Sequence, residues 1–132
     1  AREAAPVGQI LGFAVGRVLT DDLGESAYDL VFVANLLHHF DEPTGRALVA
    51  RAARALRPGG YLVVHELIRP ASPSEAGGVG SLAALYFAAT SRSGTWSFAE
   101  LTAWLRAAGL AVKKPIRLLS VPGLGQVAGR AV

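Results

Sequence analysis

Residues 28–68 read YDLVFVANLLHHFDEPTGRALVARAARALRPGGYLVVHELI. The run 28–37 is continuously apolar after Asp29, as in a strand buried on both faces of a parallel sheet. Asp41 then stands where a helix N-cap belongs, and Pro43 is tolerated in a first turn. Leu48, Ala52, Ala55 and Leu56 fall on one face, while Arg46, Arg51, Arg54 and Arg57 lie largely off it. Pro58 cannot continue a helix, and Gly59 and Gly60 accept left-handed geometry. Residues 61–68 read as a second buried strand. Strand, helix and strand make a βαβ unit, which sets an α/β fold class.

Working outward, residues 10–20 (ILGFAVGRVLT) have strand composition, and DDLGESA is a polar turn. Residues 69–95 open with a Pro/Gly/Ser loop and hold an apolar helix over 81–90. Insertions of this kind often cover a binding site. Ser97 and Glu100 form a capping box, ahead of a stripe of Leu101, Trp104, Leu105 and Ala108 that Gly109 closes. The remainder predicts two strands joined at Pro122-Gly123, an antiparallel pair at a sheet edge.

Composition bounds the function. The 132 residues suit one domain with a substantial core, and 52% are hydrophobic. Thirteen Lys/Arg against ten Asp/Glu give +3, spread along the chain, which argues against nucleic-acid binding. Cysteine is absent, excluding disulfides and thiol chemistry. No apolar run is long enough for a membrane span and no signal-peptide pattern opens the chain, so cytoplasmic is the default. The chain lacks methionine and begins Ala1-Arg2-Glu3, which predicts a segment of something longer.

The chemistry gathers at strand ends. In open α/β sheets ligands sit beyond the carboxyl ends of the strands. The first strand ends on Asn35, His38 and His39, and the second carries His65 and Glu66 near its end. An imidazole titrates near neutrality and can take a proton from a hydroxyl, and a neighbouring carboxylate would orient it. The plainer alternative is a histidine capping a backbone group and a Glu66 paired only with Arg69. His65 reads as structural. Adjacent His38 and His39 point apart, with no metal-ligand spacing around them, so no metal site is expected. Gly123, Gly125 and Gly129 mimic a dinucleotide fingerprint but lack the helix and second strand that it needs.

The runs YDLV, LHHF and ALRPGG, with SGTWSFAELTAWLRAAGL after them, resemble class I S-adenosylmethionine-dependent methyltransferases, closest to the small-molecule O-methyltransferase branch. The resemblance covers nearly the whole chain. It implies a Rossmann-like sheet of order 3-2-1-4-5-7-6, here lacking its first two strands. Residues 10–20, 28–37 and 61–68 become strands three, four and five, and the C-terminal pair strands six and seven. Residues 1–132 are then a partial catalytic domain with 69–95 as a substrate-side insertion.

The resemblance makes His38 the general base and Glu66 the carboxylate flanking it. S-adenosyl-L-methionine is the implied cofactor, with Gly16, Arg17, Asp21 and Asn35 on its side. A small hydroxylated molecule is the implied acceptor, with His39, Tyr86, Phe87 and Trp96 around it. Arg17 stands where many members carry an acid, and Asp21 or Asp22 is the nearest replacement. A second glutamate beside the base in plant members falls at Thr95. The glycine-rich loop after strand one would lie before residue 1. Many members are homodimers through an N-terminal domain, which implies a homodimer through a region outside this chain. Two other classes stay open. One is a non-catalytic α/β module with the 81–90 helix as an interface. The other is a different cofactor-using enzyme on this scaffold.

Overall fold

A computed structural model describes residues 14–72, 78–91 and 94–132. Strand β1 (Tyr28–Ala34) leads through a 3-10 turn (Leu37–His39) into α1 (Glu42–Arg54) and then β2 (Leu56–Leu67). Helix α2 (Val79–Thr90) and helix α3 (Phe98–Ala107) follow, then β3 (Leu110–Val112), β4 (Ile116–Arg117) and β5 (Leu124–Ala131). The sheet runs β1-β2-β5-β3, with β4 also on β5. Strands β1 and β2 are parallel, and β5 is antiparallel to β2, β3 and β4. This is the expected 4-5-7-6 half of the sheet.

Local signals explain the elements. Asp41 caps α1 by accepting the Thr44 N–H at 3.1 Å, and Pro43 sits in the first turn. Ser97 and Glu100 cap α3 reciprocally, with both bonds of the capping box made. Arg57 to Gly60 do not end the unit as a loop before β2. They form a bulge inside the strand, where Tyr28 pairs with Leu56 but Leu30 already pairs with Tyr61. Gly59 takes φ +82° there.

Two expectations change. Residues 14–20 are coil and turn, not a strand, and residues 10–13 lie outside the described residues. A strand persists only where a neighbour takes its backbone groups. Here Arg51 of α1 takes the Val18 and Asp21 carbonyls instead. The C-terminal pair is antiparallel at the sheet edge as expected, but its outer strand is not continuous. β5 lies inside the sheet, and its outer partner is split around Lys113 to Pro115 into β3 and β4.

The core lies on one face of the sheet. Leu62, Val64 and Ile68 of β2 and its extension, with Val127 of β5, pack against Leu48, Val49 and Ala52 of α1 and Leu101, Trp104 and Leu105 of α3. Glycines permit the close approach. A Cβ on Gly125 would come 2.5 Å from the Phe98 ring, and one on Gly45 would come 3.0 Å from Trp104. Gly125 of the apparent fingerprint therefore serves packing, and β5 continues through it as strand to Ala131. The opposite face is open. Leu30 is 57% exposed and Phe32 54%, and α2 leaves Leu82 69% and Leu85 68% exposed.

Candidate active site

Alternation along β2 builds the site. Leu62, Val64, Glu66 and Ile68 share the buried face, so Glu66 enters the core at the carboxyl end of the strand. His65 faces the other way. Its Nδ1 lies 3.1 Å from Gln126 Nε2, and its ring is 5.8 Å from Phe32. That placement agrees with the structural reading of His65.

The backbone leaves β1 through Asn35, whose N–H donates to the His65 carbonyl and whose φ is +48°. Such a conformation suits asparagine better than most residues. It turns the chain over the end of β2 and brings three donors to one carboxylate. Glu66 Oε1 accepts the N–H of Leu36 at 2.7 Å and of Leu37 at 2.6 Å. Glu66 Oε2 lies 2.7 Å from His38 Nδ1. Glu66 is 0% exposed and His38 4%. An ionised carboxylate has only acceptors, so opposite one the Nδ1 carries the shared proton, and a neutral ring in that tautomer has its lone pair on Nε2. Burial of such a charge is tolerable only when its oxygens are satisfied.

Rings close around the imidazole. His39 and Phe87 of α2 each lie 4.2 Å from the His38 ring. Phe87 is half-buried, His39 is exposed, and Tyr86 beside them is 61% exposed. Trp96 is placed differently from a pocket wall. It is buried against Trp104 at 4.6 Å, and its Nε1 donates to the Leu37 carbonyl at 3.0 Å. Sequence reading named Trp96 as an aromatic lining and missed this bond, because a ring in a sequence does not reveal the partner of its N–H.

Arg69 does not pair with Glu66. It makes a two-pronged contact with Glu100 at 2.6 and 2.7 Å and donates to the Thr95 carbonyl. Burial pushes the Glu100 carboxyl up, but hydrogen bonds from Ser97 and the Arg69 charge outweigh it and hold the group below its ordinary value. Among the described residues, Thr95 Oγ1 is the buried side-chain atom without a hydrogen-bond partner.

The residues expected on the cofactor side fall into two places. Gly16 and Asp21 line a cavity of about 540 Å³ with Asp22, Gly24 and Tyr28, at the amino end of β1. Arg17 donates its N–H to Asp21 Oδ2 at 2.8 Å, and Asp22 accepts the Gly24 N–H. Asn35 alone of this group stands beside the His38 turn, past the carboxyl end of β1.

Comparison with known proteins bears on the family and the fold. Residues 1–64 match the family described as methyltransferase domain. The 3-hydroxy-5-methyl-1-naphthoate 3-O-methyltransferase of Streptomyces sahachiroi is 32% identical over 108 residues, covering 79% of this chain and 30% of its own. A protein of Nostoc punctiforme PCC 73102 assigned as an O-methyltransferase superposes with TM-score 0.77 at 26% identity, over 89% of this chain and 35% of its own. Human N-acetylserotonin methyltransferase, solved with S-adenosylmethionine, shares the fold with TM-score 0.70 at 20% identity, over 90% of this chain and 33% of its own. The chain spans about a third of the length of these relatives.

Proposed function

The chain belongs to the methyltransferase family, and on that premise we propose that it is the proton-handling part of an enzyme that methylates a hydroxyl of a small molecule. The buried 2.7 Å contact between His38 and Glu66 carries the reading. Glu66 fixes the ring and its tautomer, so Nε2 accepts the hydroxyl proton as the oxygen attacks. The half-buried Phe87 ring against His38 favours an acceptor with an apolar body.

The family binds S-adenosylmethionine, which supplies the methyl group when bound. The described residues do not by themselves build its cradle. The Asp21 and Asp22 carboxylates are engaged by their own loop, at the end of β1 remote from His38. What this chain contributes is positioning and a base. Helix α2 then covers the acceptor from the Phe87 side.

The test is calorimetric titration of S-adenosylhomocysteine on this chain and on a longer form that adds the missing strands. Binding by the longer form alone is expected. His38→Ala in that form should then lower kcat at least about a hundredfold, within the range of a lost general base, with cofactor affinity unchanged. Binding by neither form shifts the reading to a non-catalytic module, whose interface would be the exposed side of α2.

A further inference from the structure

The residue just after the segment over the base also holds the backbone that aims it. Leu37 is gripped at both ends: its N–H goes to Glu66 Oε1 at 2.6 Å, and its carbonyl accepts Trp96 Nε1 at 3.0 Å. That carbonyl belongs to the peptide joining Leu37 to His38. Its orientation therefore sets the direction in which the His38 side chain leaves the backbone. Without Trp96, the carbonyl keeps one further donor, the Phe40 N–H at 3.1 Å within the same short turn. Trp96 is itself fixed, since its carbonyl accepts the Arg69 N–H at 2.9 Å and its ring packs on Trp104.

The connection to α2 is direct. Gly94 packs on the helix, where a Cβ would meet the Ala88 backbone nitrogen at 3.5 Å and the Ala84 carbonyl oxygen at 3.6 Å. Phe87 of the same helix touches the His38 ring. Resting on the general-base reading, we propose that Trp96 is a positioning residue for His38. Its indole N–H fixes the Leu37–His38 peptide plane, so that Nδ1 meets Glu66 and Nε2 faces the acceptor. It also makes the aim of the base depend on where the segment following α2 sits.

The test reads the imidazole itself. Protein labelled with ¹⁵N-histidine reports the share of each neutral His38 tautomer through its ring-nitrogen shifts. Native protein should show the Nδ1–H form in large excess over a minor Nε2–H share. Benzothienylalanine at position 96 keeps the shape of tryptophan but replaces N–H with sulfur. It should raise the Nε2–H share about fivefold, as expected for one lost net hydrogen bond, and Trp96→Phe should do the same. Leu110→Ala loosens the same core at β3, away from the turn and from the Trp96 ring, and should leave the tautomer alone.

An unchanged tautomer ratio in every variant overturns the proposal, as does a native excess of the Nε2–H form or an equal effect from Leu110→Ala. If benzothienylalanine disturbs folding, Trp96→Phe judges the same prediction. Methyl transfer enters none of these readouts. The proposal and the proposed activity can therefore fail separately, the activity through His38→Ala.

Discussion

The two ends of β1 are held in different ways. At the carboxyl end, Leu36, Leu37 and His38 converge on one buried carboxylate, and Trp96 closes the turn from the other side. At the amino end, residues 14–24 form an exposed loop tied down by Arg51. One end is built by the chain's own core. The other lies beside a strand that, among the described residues, pairs on one edge only and leaves Leu30 and Phe32 exposed. The buried His38–Glu66 contact is thus assembled completely by a βαβ unit and α3, while the residues proposed for the cofactor side lie mostly at the other end of β1.

The comparison breaks most sharply at Glu66. Glu66→Gln can still accept from Leu36 and Leu37 but turns an N–H₂ toward His38, which forces the opposite tautomer. In a form that transfers methyl groups, kcat should fall by about 10³ to 10⁴, as when another imidazole is held in the wrong tautomer. Retained activity would mean that the carboxylate is only structural. The two sheet faces give the next contrast. Leu62→Ala, on the buried face, should cost about 2–5 kcal/mol, while the 54%-exposed Phe32→Ala should stay within about 0.5 kcal/mol. Urea melts of both variants check this, and equal losses would show that the open face is covered in solution.

Arg51→Ala sharpens the comparison at the loop. It should speed amide exchange over residues 17–21 while leaving the N–H of Leu36 and Leu37 protected. Spread of the effect to those two amides would couple the ends of β1. The smallest effect concerns pH. The folded-state value of Glu100 is held below its ordinary 4.5, so its contribution to stability is present above that value. That contribution is lost as pH falls through the lower folded value. Glu100→Gln should therefore be less stable than the native chain at neutral pH and approach it in acid, as melts across pH 2–7 would show.

Much of this was legible because it is local. The caps at Asp41 and Ser97 and the β1-α1-β2 unit follow from periodicity and turn chemistry, strand ends that lie together could bring an imidazole near a carboxylate, and the pairing of His38 with Glu66 was implied by the family resemblance. What was not legible depends on partners distant in sequence. Residues 14–20 have strand composition but no ladder to join, and composition does not report that. The break of the outer C-terminal strand around Lys113 to Pro115 depends on how β3 and β4 each pair with β5. Trp96 looked like a pocket wall because its bond to Leu37 spans 59 residues. Placing the cofactor residues relies on the family pattern, and in this chain Gly16 and Asn35 stand at opposite ends of one strand.

The triple engagement of Glu66 also bears on how the molecule assembles. Its three partners are consecutive residues that come from 28 to 30 positions earlier in the chain. A slip of β1 by one residue along β2 would lose all three bonds at once and leave a bare carboxylate in the core. The His38–Glu66 contact is thus also a registration pin. It penalises misaligned copies of the first crossover while they form, so the molecules that finish folding are those in which the ring already meets the carboxylate.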